Sequence, residues 1–368
     1  MKVAIVYDRV NKFGGAERVL LALHKIFPKA PLYTSVYDPK RAVWAKKFPK
    51  VHTSFLQQIP FAKNNHELFP LFMPFAFSRF NFNNYDLVIS VTSEFAKNIN
   101  TKGVHICYCL TPTRYLWSHE DEYFKNKFLK RLLYPFISYL KYMDKRASRK
   151  PNIMIAISTE VQKRIKKYYN REPQIIFPPV ELKDSKKKKL INPTTKTGSK
   201  DFQFLREKRY YLLVSRLVSY KKVDLAIRAF NKLNLPLVII GTGREEKKLT
   251  KIANKNVYFI GNVSDNELVH YYKNAKALIF PQEEDFGIVA AEAGMFGLPV
   301  IAYKGGGAND IVTNKSGIFF KKQNEESLIK AIKNFQKRKF DKREIKKNAS
   351  RFSRKRFQKE ILQLVKNL

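Results

Sequence analysis

At 368 residues, with hydrophobic types making up 44% of the chain and 29 Phe and 19 Tyr among them, the sequence is too apolar for general disorder and long enough for two domains with separate cores. Seventy-one Lys and Arg against 31 Asp and Glu leave a formal charge of +40, which raises nucleic acid, an anionic membrane surface and an anionic acceptor as partner classes. Lys far outnumbers Arg and recurs on nearly every predicted exposed helix face, so a compositional habit of the source is an equal reading of that charge.

The chain opens on Lys2-Val3-Ala4-Ile5-Val6-Tyr7, which reads as a first strand and not as a signal peptide. No apolar run approaches the roughly 20 residues that cross a bilayer. After the strand, Gly14 and Gly15 open a helix patterned by Val19, Leu20, Leu23, Ile26 and Phe27. The turn lacks the G-x-G-x-x-G of a dinucleotide site, although a glycine pair at a helix start lets a ligand approach the backbone closely. Residues 31 to 85 read as irregular and aromatic, with Phe61, Phe69, Phe72, Phe75, Phe77, Phe80 and Phe82 interleaved with Lys63 and Arg79. Packing of loops and short helices accounts for most of these, and contact with a lipid interface is the other reading.

Further strands are expected at Tyr85 to Ser90 and at His105 to Leu110, the latter leading into Thr111-Pro112-Thr113-Arg114-Tyr115-Leu116-Trp117. Cys107 and Cys109, the chain's two cysteines, stand one residue apart in that strand and offer no second ligand pair. Buried free thiols and a reducing, cytoplasmic setting are expected, with no metal site and no cofactor. Residues 121 to 148 form a cationic helical region with Phe128, Leu132, Leu133, Phe136, Ile137 and Leu140 as its apolar stripe. It suits either a basic amphipathic helix lying on a membrane or a helix packed on the sheet, and Pro135 interrupts it.

Ile153 to Ile157 and Gln174 to Val180 close an N-terminal domain over residues 1–182. The polar tract at 183–208, with four lysines at 186 to 189, reads as a linker carrying an insertion; a nucleic-acid arm is the sharper alternative. A second domain over 209–345 starts with the strand Tyr210 to Ser215, followed by Arg216 and Lys221. Leu237 to Ile240 then runs into the tight turn Gly241-Thr242-Gly243, Val257 to Ile260 follows, and the next helix is capped by Ser264 or Asp265. The last residues, 346–368, form a helix expected to cross back toward the first domain.

The densest stretch is Pro281 to Val300, set between apolar runs at Ala277 to Phe280 and Pro299 to Ala302 that read as buried parallel strands. Glu284 falls in the loop at a strand's carboxyl end, and Glu292 lies about 12 Å further along a helix that begins near Gly287. Carboxylates so spaced can each hold a hydroxyl-bearing group of one extended ligand while the helix N-terminus faces its phosphates, a cradle for a nucleotide-sugar.

The seven-residue gap between the two glutamates, the Phe286-Gly287 between them and the Glu-Ala-Gly-x-x-Gly-Leu-Pro-Val-Ile-Ala tail resemble the donor-site signature of family 4 retaining glycosyltransferases, which have the GT-B fold. The resemblance implies that Glu284 contacts the donor sugar near its reacting carbon, that Glu292 binds the nucleotide ribose, and that Phe286, Gly287 and Ile288 line the donor. It implies that Arg216 and Lys221 grip the donor diphosphate, where fixed cations stabilise a departing phosphate without metal. Gly14 and Gly15 would lie against the donor phosphates, and Gly241 and Gly243 would form the base-binding wall. The Gly305-Gly306-Gly307 loop is similar to the family's Gly-Gly-x-x-Glu loop, with Asp310 for Glu.

The Thr111 to Trp117 turn resembles mannosyltransferase-like enzymes of surface polysaccharide assembly, with Leu110 where that pattern has His and Ser118 where it has Asp. Arg114, His105 and His119 are therefore the acceptor-side candidates, with a structural role the other reading for a lone strand or loop histidine. The expected fold is α/β, GT-B, with two doubly wound Rossmann-like domains facing across a cleft. The expected function is metal-independent, retaining transfer of a hexose from a nucleoside diphosphate sugar, GDP or UDP type, to a glycan or lipid-linked acceptor, with peripheral contact to an anionic membrane. A GT-B sugar-nucleotide epimerase or phosphorylase and a basic nucleic-acid-binding protein are the alternatives.

Overall fold

A computed structural model describes residues 1–65, 69–118, 120, 126–182 and 210–368. The expected linker at 183–208 and His119 lie outside the described residues. The chain forms two compact units, Met1–Pro179 joined by Phe357–Leu368, and Val180–Arg356.

In the first unit, strands β1 (Val3–Tyr7), β2 (Leu32–Thr34), β3 (Val51–Thr53), β4 (Leu87–Thr92), β5 (Val104–Cys109), β6 (Ile153–Ala156) and β7 (Gln174–Ile175) pair in the order β3-β2-β1-β4-β5-β6-β7. In the second, β8 (Tyr211–Val214), β9 (Leu237–Ile240), β10 (Val257–Gly261), β11 (Leu278–Phe280), β12 (Val300–Tyr303) and β13 (Gly317–Phe320) pair in the order β10-β9-β8-β11-β12-β13. Every pairing is parallel. Strands covered on both faces need largely apolar runs, which is why β9 is all Leu, Val and Ile and β1, β4 and β8 are rich in them. Both sheets are doubly wound, as expected. Chain direction across each sheet reverses once, between β1 and β4 and between β8 and β11, and ligands of open α/β sheets bind at the carboxyl ends of such strands.

The principal helices are α1 (Gly15–Ile26), α2 (Met73–Ser78), α3 (Lys127–Leu132), α4 (Tyr134–Ala147), α5 (Thr159–Tyr169), α6 (Val223–Leu233), α7 (Glu246–Ile252), α8 (Asp265–Asn274), α9 (Ile288–Met295), α10 (Glu325–Gln336), α11 (Lys342–Ser350) and α12 (Arg354–Lys366). In α6, Val223, Leu225, Ala226, Ile227, Ala229 and Phe230 are buried, and they join Ile239, Ile279 and Ile332 in the second core. Helix α8 starts on the capping box expected there, with the Ser264 side chain accepting from the Glu267 amide and the Glu267 carboxylate accepting from the Ser264 amide.

Three sequence expectations change. Residues 31 to 85 are not wholly irregular, since they supply β2 and β3. The cationic region after residue 126 is two helices, because Pro135 falls in the first turn of α4, where its missing N–H costs no hydrogen bond. The single terminal helix is also two, α11 and α12, and the unit boundary falls within α12. Cys107 and Cys109 are buried free thiols, as the sequence suggested, and burial pushes the Cys107 thiol up to about 11.

Candidate active site

At the reversal point of the second sheet, the loops after β8 and β11 bring Arg216, Lys221 and Glu284 to one edge. Arg216 is exposed just past β8, and its guanidinium meets the Tyr220 hydroxyl. Lys221 ends the one-turn helix Ser219–Lys221, and its ammonium pairs with the Glu284 carboxylate. Tyr220 lies between the cations, with the Lys221 nitrogen 5.2 Å and the Arg216 guanidinium carbon 6.0 Å from its ring centre. The buried Gln282 donates to the same Glu284 oxygen at 3.0 Å. Two segments 63 residues apart thus share one polar network through Lys221 and Glu284.

Glycines press these loops into place. A Cβ on Gly241, where φ is +132°, would stand 2.0 Å from the Ser215 carbonyl oxygen, and one on Gly243 would stand 2.3 Å from that of Leu217. The β9 turn therefore packs directly against the backbone that carries Arg216, and only glycine fits there. The Gly305–Gly307 loop braces the other side. The Gly307 amide donates to the Glu284 carbonyl at 2.8 Å, and a Cβ on Gly307 would lie 2.3 Å from the Phe286 backbone. The loop's mechanical role rests on these backbone distances.

Gly287 caps α9 in the left-handed region, φ +96°, so the chain turns sharply from the Glu284 loop into the helix. Ile288 opens that helix. Phe286 is buried, with its ring 5.4 Å from that of Phe352. Glu292 lies about one turn along α9, is 2% exposed, and accepts from the Tyr272 hydroxyl at 3.0 Å. Its carboxylate is thus held by a side chain of α8.

The first unit has its own reversal point. There Asp8 is fully buried and accepts from Thr92 Oγ1 at 2.8 Å and from the amides of Ser93, Glu94 and Ala96 at 2.7, 3.1 and 2.9 Å. One carboxylate thereby fixes the loop after β4, and Glu94 on that loop pairs with Arg9. Gly14 and Gly15 stand at the start of α1, whose first turn already carries an anion. This is Glu17, 2% exposed and accepting from the Tyr7 hydroxyl at 2.7 Å.

The turn after β5 is organised by a second buried acid. Asp144 of α4 pairs with Lys97 at 2.6 Å and accepts from Thr113 at 2.8 Å and from Trp117 and Tyr169 at 2.7 Å each. Burial opposes the Lys97 charge and Asp144 favours it, with the net effect that the lysine's pKa is raised. Thr113 and Trp117, conspicuous in sequence as an acceptor-side motif, thus spend their donors inside the fold. Arg114 and Leu110 are half-buried at the carboxyl edge of β5.

His105 departs from its assignment. It is second in β5, at the amino end, is 1% exposed, and shares a 2.8 Å hydrogen bond with Ser90. That position is the wrong end of the strand for a ligand, so His105 is a core residue and not an acceptor-side group. Burial, with Lys150 and Arg171 nearby, pushes its pKa down to about 3. The unfolded chain binds this proton below about pH 6.5 and the folded chain does not, so stability falls as pH drops through that window, by up to ~1.4 kcal/mol per pH unit. Urea unfolding at neutral and mildly acid pH should show a flatter pH slope for His105→Gln than for the unsubstituted chain.

Residues 196–352 match the family model "Glycosyl transferases group 1". An uncharacterized glycosyltransferase of Methanocaldococcus jannaschii is 32% identical over 133 residues, which is 33% of this chain and 34% of that protein. The GDP-mannose-dependent monoacylated alpha-(1-6)-phosphatidylinositol monomannoside mannosyltransferase of Corynebacterium glutamicum is 30% identical over 134 residues, 32% of this chain and 35% of that protein. The chain therefore spans about a third of the length of these curated relatives. Among solved structures, HepE of Anabaena in complex with UDP superposes with a TM-score of 0.71 at 18% identity, over 100% of both chains. That likeness establishes the two-unit parallel α/β architecture as GT-B.

Proposed function

We propose that this chain, whose residues 196–352 match the glycosyl transferases group 1 family model, moves a hexose, mannose-like, from a nucleoside diphosphate sugar to a hydroxyl of a glycan or lipid-linked acceptor in surface polysaccharide assembly. The observation that carries this reading is the convergence of Arg216, Lys221 and Glu284 at the reversal point of the second sheet, where the Lys221 ammonium meets the Glu284 carboxylate.

In this reading the diphosphate lies against Arg216 and Lys221, which stabilise the charge that develops as the bond from the sugar's anomeric carbon to phosphate oxygen breaks. Glu284, steadied by Lys221 and Gln282, contacts the sugar, and Glu292 in α9 holds the ribose. The acceptor oxygen bonds to the anomeric carbon on the face the phosphate leaves, and its proton passes to the leaving phosphate. Configuration is thereby retained, and neither a separate protein base nor a metal is required. GDP-mannose in the Corynebacterium relative's name and UDP in the HepE complex support a nucleoside diphosphate donor without choosing between the bases. Work at the cytoplasmic face of an anionic membrane completes the proposal. Among the described residues no helix is long and apolar enough to cross one.

Screening UDP- and GDP-sugars for protection against thermal unfolding tests the donor. One donor should raise the melting midpoint, and transfer from it should survive EDTA with the product keeping the donor's anomeric configuration. Acceptor-free conversion of the donor to a new sugar would replace this reading with an epimerase, and phosphate-dependent cleavage would replace it with a phosphorylase.

A further inference from the structure

The first unit exposes an aromatic surface that folding leaves uncovered. Helix α4 turns Ile137, Leu140 and Ala147 inward, yet Phe136, Tyr139 and Tyr142, three apart along its other side, face out. Phe136 is 52% exposed and Phe128 on α3 is 78% exposed. Scattered exposed apolar residues need no explanation, but rings this large on adjoining segments do.

Part of this surface is concave. A groove of about 710 Å³ runs between Phe72 and Phe75 on one side and Pro135, Phe136 and Tyr139 on the other, with Arg79 at its wall. That falls within the roughly 300–1,000 Å³ of small-molecule sites. The Arg79 guanidinium carbon stands 5.1 Å from the ring centre of Phe55, so the cation borders the apolar lining.

Charge selects the occupant. Residues 69–82 contain no Asp or Glu, and residues 126–147 contain only Asp144, which is buried against Lys97. Arg79, Arg131, Lys145 and Arg146 are exposed in these segments, while Lys130 and Lys141 pair with Glu120. Phe and Tyr with Lys and Arg, beside a Glu120 carboxylate that pairs with two of the lysines, is a composition that suits the boundary between anionic headgroups and acyl chains.

We propose that the α2–α4 face docks on an anionic lipid bilayer, with the Phe72–Phe136 groove receiving one hydrocarbon chain and the surrounding Arg and Lys meeting the headgroups. This deepens the proposed function, which it takes as the setting, by naming the face that meets the membrane. Vesicle binding is measured without donor, and donor protection without vesicles, so the two fail separately.

The test is flotation of the full chain with vesicles of phosphatidylcholine alone or mixed with phosphatidylglycerol. The unsubstituted chain should float with the anionic vesicles. Phe72→Ser/Phe136→Ser should weaken binding roughly tenfold or more, as expected for rings withdrawn from an apolar site. Arg79→Glu/Arg131→Glu should weaken it as well and reduce its salt sensitivity. Circular dichroism checks each variant's fold, and Phe75→Ser/Tyr139→Ser replaces the first pair if that pair unfolds. Failure of the unsubstituted chain to float, equal binding to neutral vesicles, or equal binding by the aromatic variants would overturn the proposal. So would a concentration-dependent dimer that the same aromatic substitutions dissociate without any effect of vesicles, since the face would then belong to a second copy.

Discussion

Arg216→Ala and Lys221→Ala are each expected to lower kcat by roughly 10²–10³-fold, the cost of removing one group that stabilises charge in a transition state. Neither should move the melting midpoint much. Arg216 is exposed, so its loss uncovers no core, and Lys221 lies at the sheet edge among polar partners. Glu284→Ala should abolish transfer as thoroughly, because it removes the carboxylate on which Lys221 and Gln282 both converge. Initial-rate kinetics beside calorimetric melting separates the cases. A fall in rate with an unchanged midpoint supports the site, a parallel fall in both means a folding role, and full activity in Glu284→Ala and Arg216→Ala refutes the assignment.

Asp144→Ala is expected to be the most destabilising single change in the first unit. It strips partners from Lys97, Thr113, Trp117 and Tyr169 at once and leaves a buried ammonium uncompensated. Breaking a buried ion pair costs about 3–5 kcal/mol. For a unit of this size that should lower the melting midpoint by on the order of 10 °C. Lys97→Met/Asp144→Leu should lose less than the sum of its two single changes, since it removes both charges together. Scanning calorimetry of the four proteins checks this, and additive losses would show that the pair is not coupled.

How far the sequence revealed the molecule depended on how local each signal is. Strands buried on both faces announce themselves as apolar runs, so β1, β4, β5, β8 and β11 were legible in outline. β2 and β3 were not, because three residues each at one side of a sheet give no usable period. Pro135 signalled an interruption, and the structure adds that it begins a helix. Arg216, Lys221 and Glu284 were singled out by the resemblance of their motifs to a known family, with their place after strand ends in support.

The acids that hold the first unit together had no such signature. Asp8 reaches partners 84 to 88 residues away and Asp144 meets Lys97 across 47, and no local pattern encodes such pairings. For the same reason His105 looked available in sequence and proved to be core, and the Thr113 and Trp117 motif proved to serve packing as well as position.

In the proposed function, the reversal point of the second sheet binds a nucleoside diphosphate through Arg216 and Lys221. Titration calorimetry of GDP and UDP into the full chain and into Arg216→Ala and Lys221→Ala tests it most directly. Saturable binding of one nucleotide by the unsubstituted chain is expected, weakened about tenfold or more in each variant, as for a lost charge-assisted contact. Binding of neither nucleotide, or equal affinity in all three proteins, would contradict it.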